Sequence, residues 1–431
     1  MKLTLHATAV MLAIAMSAAC VSSARAQSPI GAPAPAKGTF VPETLPPPPP
    51  FFVPDIPQSI VDQSQIRQHW FTLDLGLVVL IDYDAFTQDA ASITQVGTQH
   101  DQWDARALRA MLAGTLGTGY KVSYLVAASY NGFNSDPDPL WSFLDVNLSF
   151  PLGGPATTLI VGKSKETFDY EMVGDAANLP QLERALNPFF VSRNIGLRVI
   201  HVIGADHRMT IGGGIFNDSW TTGSPFAAQA TDVTARVTRL MYDQPDHKRF
   251  LHLGLAARYV GSDNDSLRFR GRPQSNVSSY YVNTGNLAGD HAFNLGLEAL
   301  WNEGPLSLLA EYDRSWVDAP AVGNPVFDAY YATFSWIISG ETRPYDRTRG
   351  YARRVMPTHR WGAPELVAEF SHVDLNGGTV QGGTFDRFGI GANWWATRRW
   401  KLGVGWGHIL LYRFGTTGVT NDLQTRIQWI Y

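Results

Sequence analysis

The sequence predicts an all-β fold, a transmembrane antiparallel β-barrel of sixteen strands, and three observations carry that reading. Polar and apolar residues alternate with a period of two in segment after segment of roughly ten residues, as strands between lipid and a wet lumen require. Beyond the N-terminal leader, no stretch approaches the roughly 18 uninterrupted apolar residues that a membrane-crossing helix needs. The connections between alternating segments are short and long by turns. The final segment is the clearest. Leu423, Thr425, Ile427, Trp429 and Tyr431 fall on one face, and Asp422, Gln424, Arg426 and Gln428 on the other. An edge strand of a soluble sheet alternates in the same way; the repetition along the chain and the 40 glycines, 12% aromatic and 17% charged residues suit a barrel with tight turns and aromatic girdles.

The elements follow in order. Lys2, the apolar run from Leu3 to Ala19 and Ala24-Arg25-Ala26 before Gln27 make residues 1–26 a signal peptide with a small-residue cleavage site. A lipidated Cys20 is the alternative, and Ser17 suits it poorly; removal of the peptide leaves a cysteine-free chain. Residues 27–68 form a proline-rich periplasmic tail or linker, with five consecutive prolines at 46–50 that favour extended polyproline II and build no core. Its end, 58–68, is polar and compatible with a short helix. From His69 the period becomes two, and residues 69–431 are the barrel. Strands are expected at 69–84, 104–116, 120–131, 140–150, 156–163, 194–203, 208–219, 229–242, 248–260, 290–301, 306–316, 327–339, 359–373, 382–395, 399–413 and 421–431. The stretch 276–285 could be a further strand. Long connections at 85–103, 132–139, 164–193, 220–228, 261–289, 317–326, 374–381 and 414–420 lie on one side. The exception is 340–358, long although it falls on the side of the short turns, and rich in arginine.

Charge placement narrows the function. A long third loop that folds inward sets its charges where the path is tightest and screening weakest, so Lys163, Lys165, Arg184 and Arg193 would favour anions; exposed loop charges are the alternative for the same residues. Arg198 lies inside a strand, where facing lipid at mid-depth costs about 2–4 kcal/mol, and is expected in the lumen with Arg236, Arg258 and Arg426. The same reasoning puts Asp74, Asp232, Glu298, Glu311, Asp313, Glu369 and Asp422 there, so the wall is mixed. Arg343, Arg347, Arg349, Arg353 and Arg354, set against Glu341 and Asp346, would form an electrostatic sink at the mouth on the turn side if 341–354 folds toward the pore.

The chain resembles the phosphate-selective porin O and P family. The resemblance is carried by Trp103-Asp-Ala-Arg-Ala-Leu-Arg-Ala-Met-Leu-Ala-Gly-Thr-Leu-Gly117, Leu159-Ile-Val-Gly-Lys-Ser-Lys-Glu-Thr-Phe168, Leu182-Glu-Arg-Ala-Leu186, Arg193-Asn-Ile-Gly196, Ser339-Gly-Glu-Thr-Arg-Pro-Tyr345 and Glu369-Phe-Ser-His-Val-Asp-Leu375. It implies a trimeric sixteen-stranded barrel of the Gram-negative outer membrane, with an inward third loop and a long periplasmic segment reaching a lumen lined by basic residues that conduct phosphate or related small anions. Arg106 belongs to that implied lining. Two departures weaken the carry-over of a tight phosphate site: Arg106 is followed by Ala107 where the family has paired arginines, and Lys163 stands where the family has Gln or Glu.

The expected function is therefore a passive outer-membrane porin, selective for small anions. The implied partners are those solutes, outer-membrane lipid and lipopolysaccharide, and two further copies of the chain in a homotrimer. A general porin for organic acids, sugars or other small solutes shares the fold and differs only in the constriction. An outer-membrane enzyme is less favoured: the 11 histidines include no recognisable nucleophile arrangement, and His291, His359 and His408 read as interfacial or packing residues. Ser371-His-Val-Asp374 is a weak metal pattern at a strand end. No catalytic residue, metal, cofactor or nucleic-acid partner is expected.

Overall fold

The computed structural model of the protein describes residues 66–130, 141–186, 188–189, 193–217, 231–262 and 265–431. The expected signal peptide, the proline-rich stretch as far as residue 65 and the segments 131–140 and 218–230 lie outside the described residues. Sixteen antiparallel strands close into one barrel. They are β1 (Thr72–Gln88), β2 (Gln102–Leu116), β3 (Val122–Tyr130), β4 (Trp141–Pro151), β5 (Thr157–Lys165), β6 (Arg193–Ile203), β7 (Met209–Asn217) and β8 (Thr231–Gln244). The second half comprises β9 (Arg249–Gly261), β10 (His291–Glu303), β11 (Leu306–Asp318), β12 (Val326–Ile337), β13 (Ala363–Gly377), β14 (Val380–Trp395), β15 (Trp400–Arg413) and β16 (Thr416–Ile430). Each strand pairs with its neighbours in sequence, and β16 closes on β1 with Ile427 opposite Ile81 and Arg426 opposite Asp82. Ile66–Arg67 adds a two-residue extension folded back on β1.

The pleat sorts the side chains as the sequence pattern requires. On β16, Leu423 and Ile427 are exposed outward while Asp422, Gln424, Arg426 and Gln428 are buried inside. No helix among the described residues is long and apolar enough to cross a membrane. Each expected strand is present with its ends displaced by a few residues. The largest difference is at the last two long connections, expected at 374–381 and 414–420. Both are two-residue hairpin turns, because Gly378 and the pair Phe414 and Gly415 adopt the left-handed backbone that tight hairpins need, at φ 54°, 54° and 75°, and the strands run on to meet them.

The interior is filled by three segments rather than left open. The third loop, between β5 and β6, is anchored from inside the wall: Tyr170 N–H donates to Glu311 at 2.5 Å, Asn393 to the Pro180 carbonyl at 2.7 Å, Lys401 to the Leu179 carbonyl at 3.1 Å and Gln428 to the Ala177 carbonyl at 3.1 Å. The fifth loop, between β9 and β10, dips in above it, with Ser275 donating to Asp84 at 2.6 Å and Asn276 to Asp104 at 2.6 Å. The stretch 276–285 contributes only Val282–Asn283 to this loop's own ladder with Arg270–Gly271. The exceptional segment 338–362 enters from the turn side and meets the third loop, where the Ala352 N–H donates to Tyr170 Oη at 2.8 Å. Gly350 allows that approach: its φ is 68°, and a Cβ there would collide with Thr238 on β8.

Candidate functional site

The wall supplies charges in pairs. Arg236 bonds Glu298 at 2.8 Å, Arg258 bonds Glu166 at 2.6 Å and Asp232 at 2.8 Å, and Arg387 bonds Asp422 at 3.3 Å, all buried. Arg426 holds Asp82 and Glu183 at 2.5 Å each and donates to the Leu182 carbonyl, which fixes the third loop against β16. Buried pairs of this kind contribute little net stability but penalise any displacement that leaves one charge alone, so they set the loop's position. The lumen residues Arg198, Arg236, Arg258 and Arg426 and the acids expected beside them are indeed buried inside. An excess of cations over these acids is what would favour an anion.

Two cavities meet that condition, one on each side of the third loop. The wider, about 410 Å³ on the loop side, is lined by Arg106, Glu183, Arg184, Arg268, Arg270, Arg272 and Tyr280 among others. Arg106 lies in a β-bulge, where Ala105 and Arg106 together oppose Ile81; the extra residue turns it into the lumen. It makes a bidentate pair with Glu183 at 2.6 and 2.9 Å. Burial alone would push the Glu183 carboxyl up, but Arg106 and Arg426 outweigh burial and hold it at about 2, so it is a fixed anion. Arg184 donates to the Glu171 carbonyl at 2.8 Å, bracing the loop while its side chain borders the cavity. Arg270 and Arg272 flank Tyr280, each guanidinium 4.2 Å from the ring centroid, which holds both side chains extended into the cavity.

The narrower cavity, about 60 Å³, lies on the turn side and is lined by Lys165, Arg193, Arg198, Arg236, Arg349 and Tyr351 against Asp145 and Asp175. Lys165 donates to the Gly174 carbonyl at 2.5 Å and Arg193 to Asp145 at 2.7 Å. Burial would raise the Asp175 carboxyl, but Lys165, Arg109 and Arg184 pull it down to about 2.

Several sequence expectations need correction. Lys163 lines neither cavity: β5 extends to Lys165, and Lys163 stands within the strand, paired with Val146 and Ile195. The sink of 341–354 is largely neutralised, since Arg343 pairs with Glu365, Arg347 with Asp243 and Arg353 with Asp346; Arg349 lines the narrow cavity. The histidine pattern at 371–374 dissolves: His372 faces outward to Asp386 at 2.6 Å, and no cluster of metal-ligating side chains occurs among the described residues. Sequence reasoning missed Arg268, Arg270 and Arg272, although their alternation in Arg268-Phe-Arg-Gly-Arg272 was a visible signal. It passed over them because the fifth loop was taken as external.

Comparison with known proteins gives the same fold. The fold is that of the anion-selective porin from Comamonas acidovorans (TM-score 0.53, 13% identity, 84% of this chain and 100% of that one). It is shared by the outer membrane channel DcaP of Acinetobacter baumannii (0.55, 11%, 85% and 99%). The trimer form of OmpT from Vibrio cholerae also matches (0.52, 10%, 84% and 100%). No curated protein matches the sequence significantly. The sequence model of one family, Phosphate-selective porin O and P, matches residues 74–408, spanning all but the ends of the barrel. The chain belongs to the phosphate-selective porin O and P family and forms a passive porin channel of the outer membrane.

Proposed function

We propose that this porin is selective for small anions, with phosphate or a related oxyanion as its solute. The observation that carries the reading is the narrow cavity behind the third loop, where five cationic side chains face two carboxylates within about 60 Å³. At that size an ion sheds much of its hydration shell. Lys165, Arg193, Arg198, Arg236 and Arg349 replace water for an anion and repel a cation, while Asp145 and Asp175 keep the well shallow enough for release. Transport is diffusion down a gradient, with no covalent step. The wide cavity collects anions ahead of this point.

The N-terminal 26 residues direct export and the proline-rich stretch serves as a periplasmic tail; the OmpT trimer form supports assembly as a homotrimer, which outer-membrane lipid and lipopolysaccharide would surround. The test is the reversal potential of purified protein in planar bilayers across a KCl gradient. Anion selectivity that is lost when Lys165, Arg193 and Arg198 are changed together to glutamine is the expected result. Cation selectivity, or a triple variant with unaltered reversal potential, overturns the reading in favour of a general porin.

A further inference from the structure

Arg354 is a buried cation whose donors find no acceptor among the described residues. It sits in the segment 338–362 at 3% exposure, and none of its three guanidinium nitrogens has a hydrogen-bond partner among the described residues. Its guanidinium carbon lies 5.5 Å from the ring centroid of Trp395, a fully buried lumen-facing residue of β14. Two more cations surround that ring, Lys401 Nζ at 4.6 Å and Arg343 at 5.8 Å. The carboxylate packed into this cluster, Glu365, is saturated by Arg343, Ser335, Asn393 and the Trp395 indole N–H. Lys401 spends one donor on the Leu179 carbonyl of the third loop. Three positive groups thus share one carboxylate in contact, and Asp175 attracts Arg354 without forming an ion pair with it.

Burial lowers the Arg354 guanidinium to about 10, so it stays charged at neutral pH. An indole face can attract a cation, but it cannot satisfy the five N–H donors of a guanidinium. Leaving such donors bare and out of water is costly, and an oxyanion is the ligand that removes the cost.

We propose a second anion site behind the third loop, in which Arg354 and Lys401, set around Trp395, bind a small oxyanion such as inorganic phosphate. It rests on the anion-channel reading above. Trp395 and Lys401 flank the turn between β14 and β15, whereas Lys165 and Arg193 stand at the loop ends of β5 and β6, so the second site lies nearer the turn side; anions at the two sites repel one another, and occupancy of one speeds release from the other.

The experiment is the block of chloride current by inorganic phosphate in single-channel recordings of the full protein, with phosphate added to each side in turn. The reversal potential of the wild-type protein decides the channel reading independently. If that protein is anion-selective, R354Q and K401Q are each expected to weaken the phosphate block from the turn side by about tenfold, the loss of one charge-assisted donor, and R354K to restore part of it. Folding of each variant is checked by heat-modifiable migration, and K401Q keeps the test alive should R354Q not assemble. Block curves that superimpose on wild type from both sides in folded R354Q or K401Q overturn the second site and leave the channel reading standing.

Discussion

The two cavities flanking the third loop hold similar cations in different company. In the wide one, Arg268 rests on the Asn283 amide oxygen at 3.0 Å and Arg270 and Arg272 on the Tyr280 ring, so much of their positive charge faces neutral neighbours. In the narrow one, Arg193 is tied to Asp145 and Arg236 to Glu298, and Asp175 sits among Lys165, Arg109 and Arg184. Neutral company projects field outward and raises the local anion concentration. Carboxylate company fixes geometry and limits how tightly an anion can bind. The same residue type therefore gathers ions in one place and passes them in the other.

That distinction can be broken in order of effect. The double variant K165Q/R193Q removes two cations from the narrow cavity, and the chloride-to-potassium permeability ratio is expected to fall about tenfold, the equivalent of about 1.4 kcal/mol; an unchanged ratio would move the selectivity step elsewhere. The triple variant R268Q/R270Q/R272Q acts at a distance. Its conductance should drop about two- to threefold in 0.1 M salt and match wild type near 1 M, where the Debye length is about 3 Å; a loss that persists at high salt would mean these arginines bind ions directly.

A smaller effect concerns the segment that brings Arg349 and Tyr351 to the narrow cavity. Glu341 ties the ends of the segment 338–362 together by accepting hydrogen bonds from the Thr358 N–H and His359 Nδ1 at 2.9 Å each, and one from Ser339. Burial pushes its carboxyl up, but these bonds outweigh burial and hold it at about 2, below the ordinary 4.5. A carboxyl with a depressed folded-state value stabilises fully above about 4.5, and that contribution fades as pH falls through about 2. Open-channel noise should therefore stay constant from neutral pH to about 4.5 and rise below it in the wild type, while E341Q is noisy throughout. The smallest effect is predicted for Lys163→Gln, which should leave selectivity within error of wild type, because Lys163 lines neither cavity.

Much of this was legible in the residues. Alternation reveals which face of β16 is wet because the side-chain period of a strand is fixed at two, and the same logic put Arg198 and Arg236 inside. Lys163 was grouped with the loop charges although it stands inside β5, two residues short of the strand's end. Arg106 depends on a bulge, which no single-strand pattern reveals. The pairing of Arg343 with Glu365 and of Arg347 with Asp243 joins positions on different elements, and charge counting within 341–354 could not anticipate the neutralisation. The arginines of the fifth loop were visible as an alternation, but the descent of that loop rests on contacts such as Ser275 with Asp84, 191 positions away.

The hydrogen bond from the Ala352 N–H to Tyr170 joins residues 182 positions apart, and Arg426 reaches Asp82 across 344. Contacts of such range are formed late, since the intervening chain must first be brought together. Tyr170 finds its partner only when segments from opposite ends of the barrel are both inside it, and the third loop gains its last anchor only when β16 has reached β1. Assembly of the constriction is thereby made the final act of barrel closure, and an incompletely closed barrel has no finished filter to offer.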